Sequence, residues 1–536
     1  MIGTIDASAQ RLKHEPTTPN SKLKGKRKDG ENIIEFVNGV KYTQKSTIIF
    51  CDSSLYYKSK NLFEAYGNVK ILDGDSVTIT AESLIYYGRE KKASLIGNVV
   101  YTSGDKKLYT DKLDYDIVSK VSYFFEGGRL IDEQNDLTSK IGYYYSQTDL
   151  AVFYDSVRLK AETFDLATDT LKYFTVPKIA FTDGPTTIIS ESGNTIDNTG
   201  GKYETVKEKM ELVGGKVETI DYYLEGDELF LDDYTQYYKA TGNVKLTAKN
   251  NDVIITGDEG YYDKASGLSK VYGNPVMKKI MAVDTFYLSA DTLVAIEAEA
   301  DSAKRILGFK DVRIFKENLQ GITDSLSYFL SDSIIFMYKD PVLWTTKNQI
   351  SGDTISLLIK DKYVEKMNLY RNSFMVSQDT LRNFNQVKGR NMVAEFNMND
   401  IERIHVLGNC ESLYFALSQN EDYLIGMNKV TCSNMIMLFE KNELSGLNFY
   451  KKPDASMTPP HELSASTMKL PGFQWRSDER PTLSYVLLRP EKVKKAATSG
   501  EQATEENGRQ DSSTTGKKGD LLINRSSIEI EEEEKQ

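Results

Sequence analysis

The phrase Gly67-Asn68-Val69-Lys70-Ile71 returns as Gly97-Asn98-Val99-Val100-Tyr101, as Gly242-Asn243-Val244-Lys245-Leu246 and, more weakly, as Gly273-Asn274-Pro275-Val276. Gly-Asn is a turn signal, and the apolar/polar alternation after it is a strand signal. Downstream of each glycine, 82 − 67 = 15 residues on in the first copy, stands a small residue, an acid, and an alternating stretch ending in an aromatic, as in Ala81-Glu82-Ser83-Leu84-Ile85-Tyr86. Thr110-Asp111-Lys112-Leu113-Asp114-Tyr115 and Thr323-Asp324-Ser325-Leu326-Ser327-Tyr328 repeat it. The slot recurs at Cys51-Asp52, Ala161-Glu162, Ser190-Glu191, Gly226-Asp227, Gly257-Asp258, Ala290-Asp291 and Gly352-Asp353, with Lys140 replacing one acid. Ten steps from Asp52 to Asp353 give (353 − 52)/10, about 30 residues each. Within a step the apolar period is two, with Val77 and Ile79 on one face and Ser76, Thr78 and Thr80 on the other. A helical repeat would instead space its apolar residues by three and four. The expectation is an all-β, solenoid-like array of stacked antiparallel strands, each unit burying its apolar face only against its neighbours.

Composition agrees. Of 536 residues, 67 Lys+Arg against 78 Asp+Glu leave a net charge of −11, which argues against a nucleic-acid binder working through a basic face. The 33 Tyr beside only 2 Trp and 12 Pro suit half-buried strands with one wet end. Cys51, Cys410 and Cys432 cannot form a disulfide framework; Cys410 and Cys432 are either a pair or two buried thiols. No apolar run approaches the roughly 18–20 residues that span a bilayer. The N-terminal residues MIGTIDASAQRLKHEP hold no apolar stretch of the about 7–15 residues a secretory signal needs.

Residues 1–32, with the basic cluster Lys22, Lys24, Lys26, Arg27 and Lys28, are expected to be a disordered leader, and 491–536, ending in an acidic run, a disordered tail. Between them the period slips twice, by 162 − 140 = 22 residues and by 227 − 191 = 36. The second slip, with Gly200-Gly201 and Gly214-Gly215, places a break near 200–220 between a first array, 33–200, and a second, 201–380, followed by a closing β region, 381–490.

Signals of catalysis are thin. His14, His405 and His461 are the only histidines, no metal-ligand spacing surrounds them, and no nucleophile elbow, phosphate loop or dinucleotide fingerprint occurs. The reading is a non-enzyme without metal or cofactor. Stacked carboxylates would suit Ca²⁺ or a glycosidase pair, but one acid per step flanked by Ser, Thr or Ala suits a solvated strand corner better. The other candidate surface is apolar: Val69, Ile71, Val99, Val244 and Leu246 after the Gly-Asn turns, with Leu84, Tyr86, Leu113, Tyr115, Leu326 and Tyr328 after the acids, stack into continuous stripes. They form either a closed core or one that stays partly open and holds long apolar chains.

Residues 42–86, and the repeats GNVKIL…TAESLIYY, GNVVYT…TDKLDYD and GNVKLT…TGDEGYYD, resemble the OstA-like domain of the LptA-type lipopolysaccharide-transport family, particularly its long form from Bacteroidota. Gly408-Asn409-Cys410-Glu411-Ser412-Leu413-Tyr414-Phe415 and Gly472-Phe473-Gln474-Trp475-Arg476 also resemble that form. The resemblance spans about residues 40–480, strongest over 42–116 and 226–263. It implies a β-jellyroll, or "taco", whose groove shields lipid A acyl chains in the periplasm. It also implies end-to-end joining by edge-strand addition, to copies of itself or to other envelope transport proteins bridging to the outer membrane. A periplasmic home conflicts with the absent signal unless the start has been placed too late. The rival is a structural, adhesin-like scaffold with a closed core.

Overall fold

The computed structural model describes residues 13–488 except 29, 45, 221, 250–251, 282–283, 297–303, 361–362, 399 and 441–442. The acidic tail and the first twelve residues lie outside the described residues. The described chain is an antiparallel meander in which successive strands, such as Thr47–Tyr57, Leu62–Asp73, Val77–Tyr87 and Lys92–Ser103, pair in sequence order. One repeat is therefore a hairpin of two strands.

Every long strand is bent at its middle. Between Leu62–Asp73 and Val77–Tyr87 the ladder runs to Tyr66↔Ser83 and resumes at Val69↔Ala81, because Gly67 and Asn68 adopt left-handed backbone with φ of 76° and 44°. Such a bulge turns the strand sharply. Left-handed residues recur at positions 38, 68, 98, 127, 156, 184, 214, 243, 274, 311, 340, 372 and 409, a spacing of (409 − 38)/12, about 31 residues. Aligned, they form one crease that folds the sheet into two walls with apolar faces inward. Ile71, Ile79, Tyr101 and Leu108 lie in register along one wall, Phe63, Tyr86, Ala93 and Tyr115 along the other. The walls meet where the Tyr42 and Phe63 rings stand 4.0 Å apart, and the Tyr101 and Tyr115 rings 6.4 Å apart. Each fully buried leucine between them contributes about 1.5–3 kcal/mol.

The crease corrects the expected slips. Glu162 and Glu191 sit in the turns after Lys160 and Ser190, at the open lip of the fold, not at the crease. The crease positions on those strands are Asp169 and Thr199, where the ladder breaks between Thr168 and Leu171 and between Asn198 and Gly201. The steps become 169 − 140 = 29, 199 − 169 = 30 and 227 − 199 = 28. No break falls at 200–220: strand Thr195–Glu204 pairs with Lys209–Glu218, and that with Tyr222–Asp232. The interior instead divides further on, one buried cluster ending at Val244 and the next starting at Ile255.

Both ends differ from expectation. Lys13–Pro16 and Lys22–Lys28, within the expected leader, are strands on the outer edge of Glu31–Gln44. Alternation of Lys22, Lys24 and Lys26 with Leu23 and Gly25 made a strand read as a charge cluster, and lysines on an edge discourage further pairing. At the other end, strands stop at Thr458, because Pro459, Pro460, Pro471 and Pro481 lack the donors a ladder needs. From there to the short helix Leu483–Leu487 the chain is a strap across the outer face of one wall. Buried Gln386 donates to Met468 O (2.9 Å) and accepts from Leu470 N (2.8 Å). Gln349 donates to Gln474 O and accepts from Arg476 N, both at 2.7 Å, and Arg480 donates to Gln320 Oε1. Three glutamine amides thus pair backbone and guanidinium groups that no strand partner satisfies.

Candidate binding interior

The acid ladder belongs to the crease. Asp52, Asp227 and Asp353 accept from the left-handed Asn68 (2.8 Å), Asn243 (2.8 Å) and Asn372 (3.0 Å), and Glu82 from Asn98. Where Lys140 fills the slot, the left-handed position is Asp155, 2.9 Å away, so an ion pair takes the place of the amide–carboxylate bond. Lys339 pairs in the same way with Asp324. At the crease the small residues Cys51, Ala81 and Ala290, each just before its acid, are buried. Among the described residues no three His, Cys, Asp or Glu side chains gather as a metal site.

All eleven predicted groove residues point into the space between the walls. Val69, Ile71, Leu84, Tyr86, Val99, Leu113, Tyr115 and Val244 are buried in the first cluster, Leu326 and Tyr328 in the second, and Leu246 is half-buried against the second. The stripes are brought together, but as two packed interiors. The thiols of Cys410 and Cys432 are free and buried although the two residues face each other in register, and burial pushes the Cys410 thiol up to about 12.

Sequence reading missed what closes the lip. Asp73, at a hairpin end of one wall, accepts from Tyr115 (2.8 Å) on the other and is ion-paired to Lys120. Burial pushes the Asp73 carboxyl up, but donation from Lys120, Tyr115 and Thr47 outweighs it and holds the group below the usual carboxylate range. Asp132 repeats the arrangement with Tyr173 (2.6 Å) and Lys178 (3.8 Å), and Tyr86 donates to Gln44 (2.7 Å). Burial raises the Tyr115 and Tyr173 hydroxyls, and the facing carboxylates raise them further, so both stay protonated donors. The aromatic ending each repeat was the available signal, but its acidic partner lies 42 residues earlier for Tyr115, beyond any local pattern.

Between the two clusters the interior is not closed. On one wall Val217, Leu224, Leu246, Ile255 and Met277 lie in register; on the other, Leu231, Tyr238, Tyr262, Ser269 and Ala295 do so. Leu224, Tyr238, Leu246, Val253, Val271 and Ala295 are only half-buried. In the adjoining row Ala240 and Gly260 are partners, and Val244 and Val271 pack over Gly260.

Among the described residues no helix is long and apolar enough to cross a membrane. Residues 18–169 match the model of a family described as OstA-like protein. Among solved structures, the chain is similar to LptH, the LptA-homologous periplasmic component of the conserved lipopolysaccharide transport device from Pseudomonas aeruginosa. Identity is 15%, over 22% of this chain and 82% of that one, with a TM-score of 0.20. No curated protein matches the chain. By sequence, then, residues 18–169 form an OstA-like region, the first third of a longer folded sheet.

Proposed function

We propose that this protein binds lipopolysaccharide and takes part in its transport, holding lipid A acyl chains against the inner faces of the two walls while sugars and phosphates stay in water. The observation that carries the reading is a continuous inward-facing apolar stripe within an OstA-like chain, with a stretch between its two clusters where that stripe is reachable from solvent. Binding is passive, through burial of acyl surface at about 25 cal/mol per Å². Edge-strand addition to the meander would join it to other envelope transport proteins, or to a second copy, in a periplasmic bridge to the outer membrane.

A closed-core scaffold is the second reading, favoured by the packing of both clusters, where Leu84 and Leu113 are 1% and 0% exposed. The same burial makes Leu84→Asp or Leu113→Asp unsuitable as a probe of binding, since either would bury an unpaired carboxylate and damage the fold. The test is native purification from the envelope fraction followed by mass spectrometry of bound lipid. Near-stoichiometric lipid A supports transport; folded, lipid-free protein assigns the scaffold.

A further inference from the structure

The lip clamps have a consistent chemistry over the first part of the sheet. Tyr115 and Tyr173 reach across to Asp73 and Asp132, and Lys120 and Lys178 complete each cluster. Beyond the half-open stretch the pattern changes sign. Tyr328, the corresponding tyrosine, receives its contact from Lys279, whose Nζ lies 2.5 Å from the hydroxyl and 4.9 Å from the ring centre. Lys279 faces inward opposite Val253, is half-buried, and among the described residues meets no carboxylate, whereas the neighbouring lip lysine Lys316 has Asp284 at 3.1 Å. A half-buried lysine whose contacts are a hydroxyl and a ring face has no carboxylate competing with an incoming anion.

We propose that the half-buried surface of Leu224, Leu246 and Val253 is a lateral port for an anionic amphiphile: an acyl chain enters along these residues, and its phosphate is met by Lys279. The proposal rests on the lipopolysaccharide reading and adds where the lipid enters and what selects it. The inner wall is only half-buried there, and Lys279, which meets no carboxylate among the described residues, faces the same interior opposite Val253. At Asp73 and Asp132 the lip is held by paired charges, so a lipid entering there would have to break a clamp.

The test uses the full-length chain with photo-leucine in place of leucine, an isosteric change that spares the fold, irradiated with purified lipopolysaccharide and mapped by mass spectrometry. Adducts at Leu224 and Leu246 and none at Leu84 or Leu113 are expected. Lys279→Gln should weaken labelling at Leu246 about tenfold, the equivalent of one charge-assisted contact. Phosphatase-treated lipopolysaccharide should label the parent and the Lys279→Gln chain equally. Labelling at Leu84 and Leu113 as strong as at Leu246 overturns the port while leaving lipid binding intact, and equal losses with both lipid forms overturn the role of Lys279. Absence of any adduct overturns the transport reading with it.

Discussion

Replacing Gly97 by alanine tests the crease at a single carbon. Gly97 has φ of 83°, and a β-carbon there would stand 2.6 Å from Glu82 Oε2 and 2.9 Å from Glu82 Cβ. A left-handed alanine costs about 1–2 kcal/mol by itself. Moving Glu82 aside also breaks its bond with Asn98, a further loss of about 0.5–1.5 kcal/mol. Gly97→Ala should therefore destabilise its section of the sheet by about 1.5–3.5 kcal/mol. In a Glu82→Gly background, where the obstructing side chain is gone, only the backbone term of about 1–2 kcal/mol should persist. Because a stacked array opens in sections, the measurement is hydrogen exchange of peptides covering 77–116 across a urea series, where local opening energies are read directly. A cost below about 0.5 kcal/mol, or the same cost in both backgrounds, would falsify the claim that the Gly-Asn turn and the acid are one interlocked unit.

The lip and the strap give further expectations. Asp73→Asn removes the charge that Lys120 and Tyr115 contact and should loosen the lip by about 1–3 kcal/mol, read as faster exchange around residues 106–120. The Asp73 carboxyl is depressed in the fold, so its stabilisation is present above the unfolded carboxylate range and is lost as pH falls through the folded value. The parent should lose lip protection on acidification, and Asp73→Asn should show less of that loss; identical acid profiles would dismiss the clamp. Gln386→Leu leaves Met468 O and Leu470 N without partners and should free the strap, so trypsin should cut after exposed Lys469 several-fold faster, consistent with a loss of about 1–3 kcal/mol. An unchanged cutting rate would mean that the Gln386 contacts do not hold the strap.

What could be read from the residues follows from the range of the interactions involved. The strand period, the Gly-Asn turns and the inward stripe depend on neighbours within one hairpin, and all are visible locally. The assignment of Glu162 and Glu191 to the ladder went astray because a crease and a lip turn use the same local vocabulary: a small residue, then an acid. Only pairing register separates them, and register belongs to two strands at once. The clamps were out of reach for the same reason, since Asp132 and Tyr173 stand 41 residues apart.

The amino-acid sequence by itself determined an all-β repeat of about 30 residues with one apolar face, because alternation and turn chemistry are properties of adjacent residues. Tertiary structure decided where that face is sealed and where it is not. Whether a stripe is core or groove depends on what the opposite wall sets against it: Leu84 and Leu113 are sealed between the walls, whereas Leu224 and Leu246, on a stripe of the same alternation, stay half-buried.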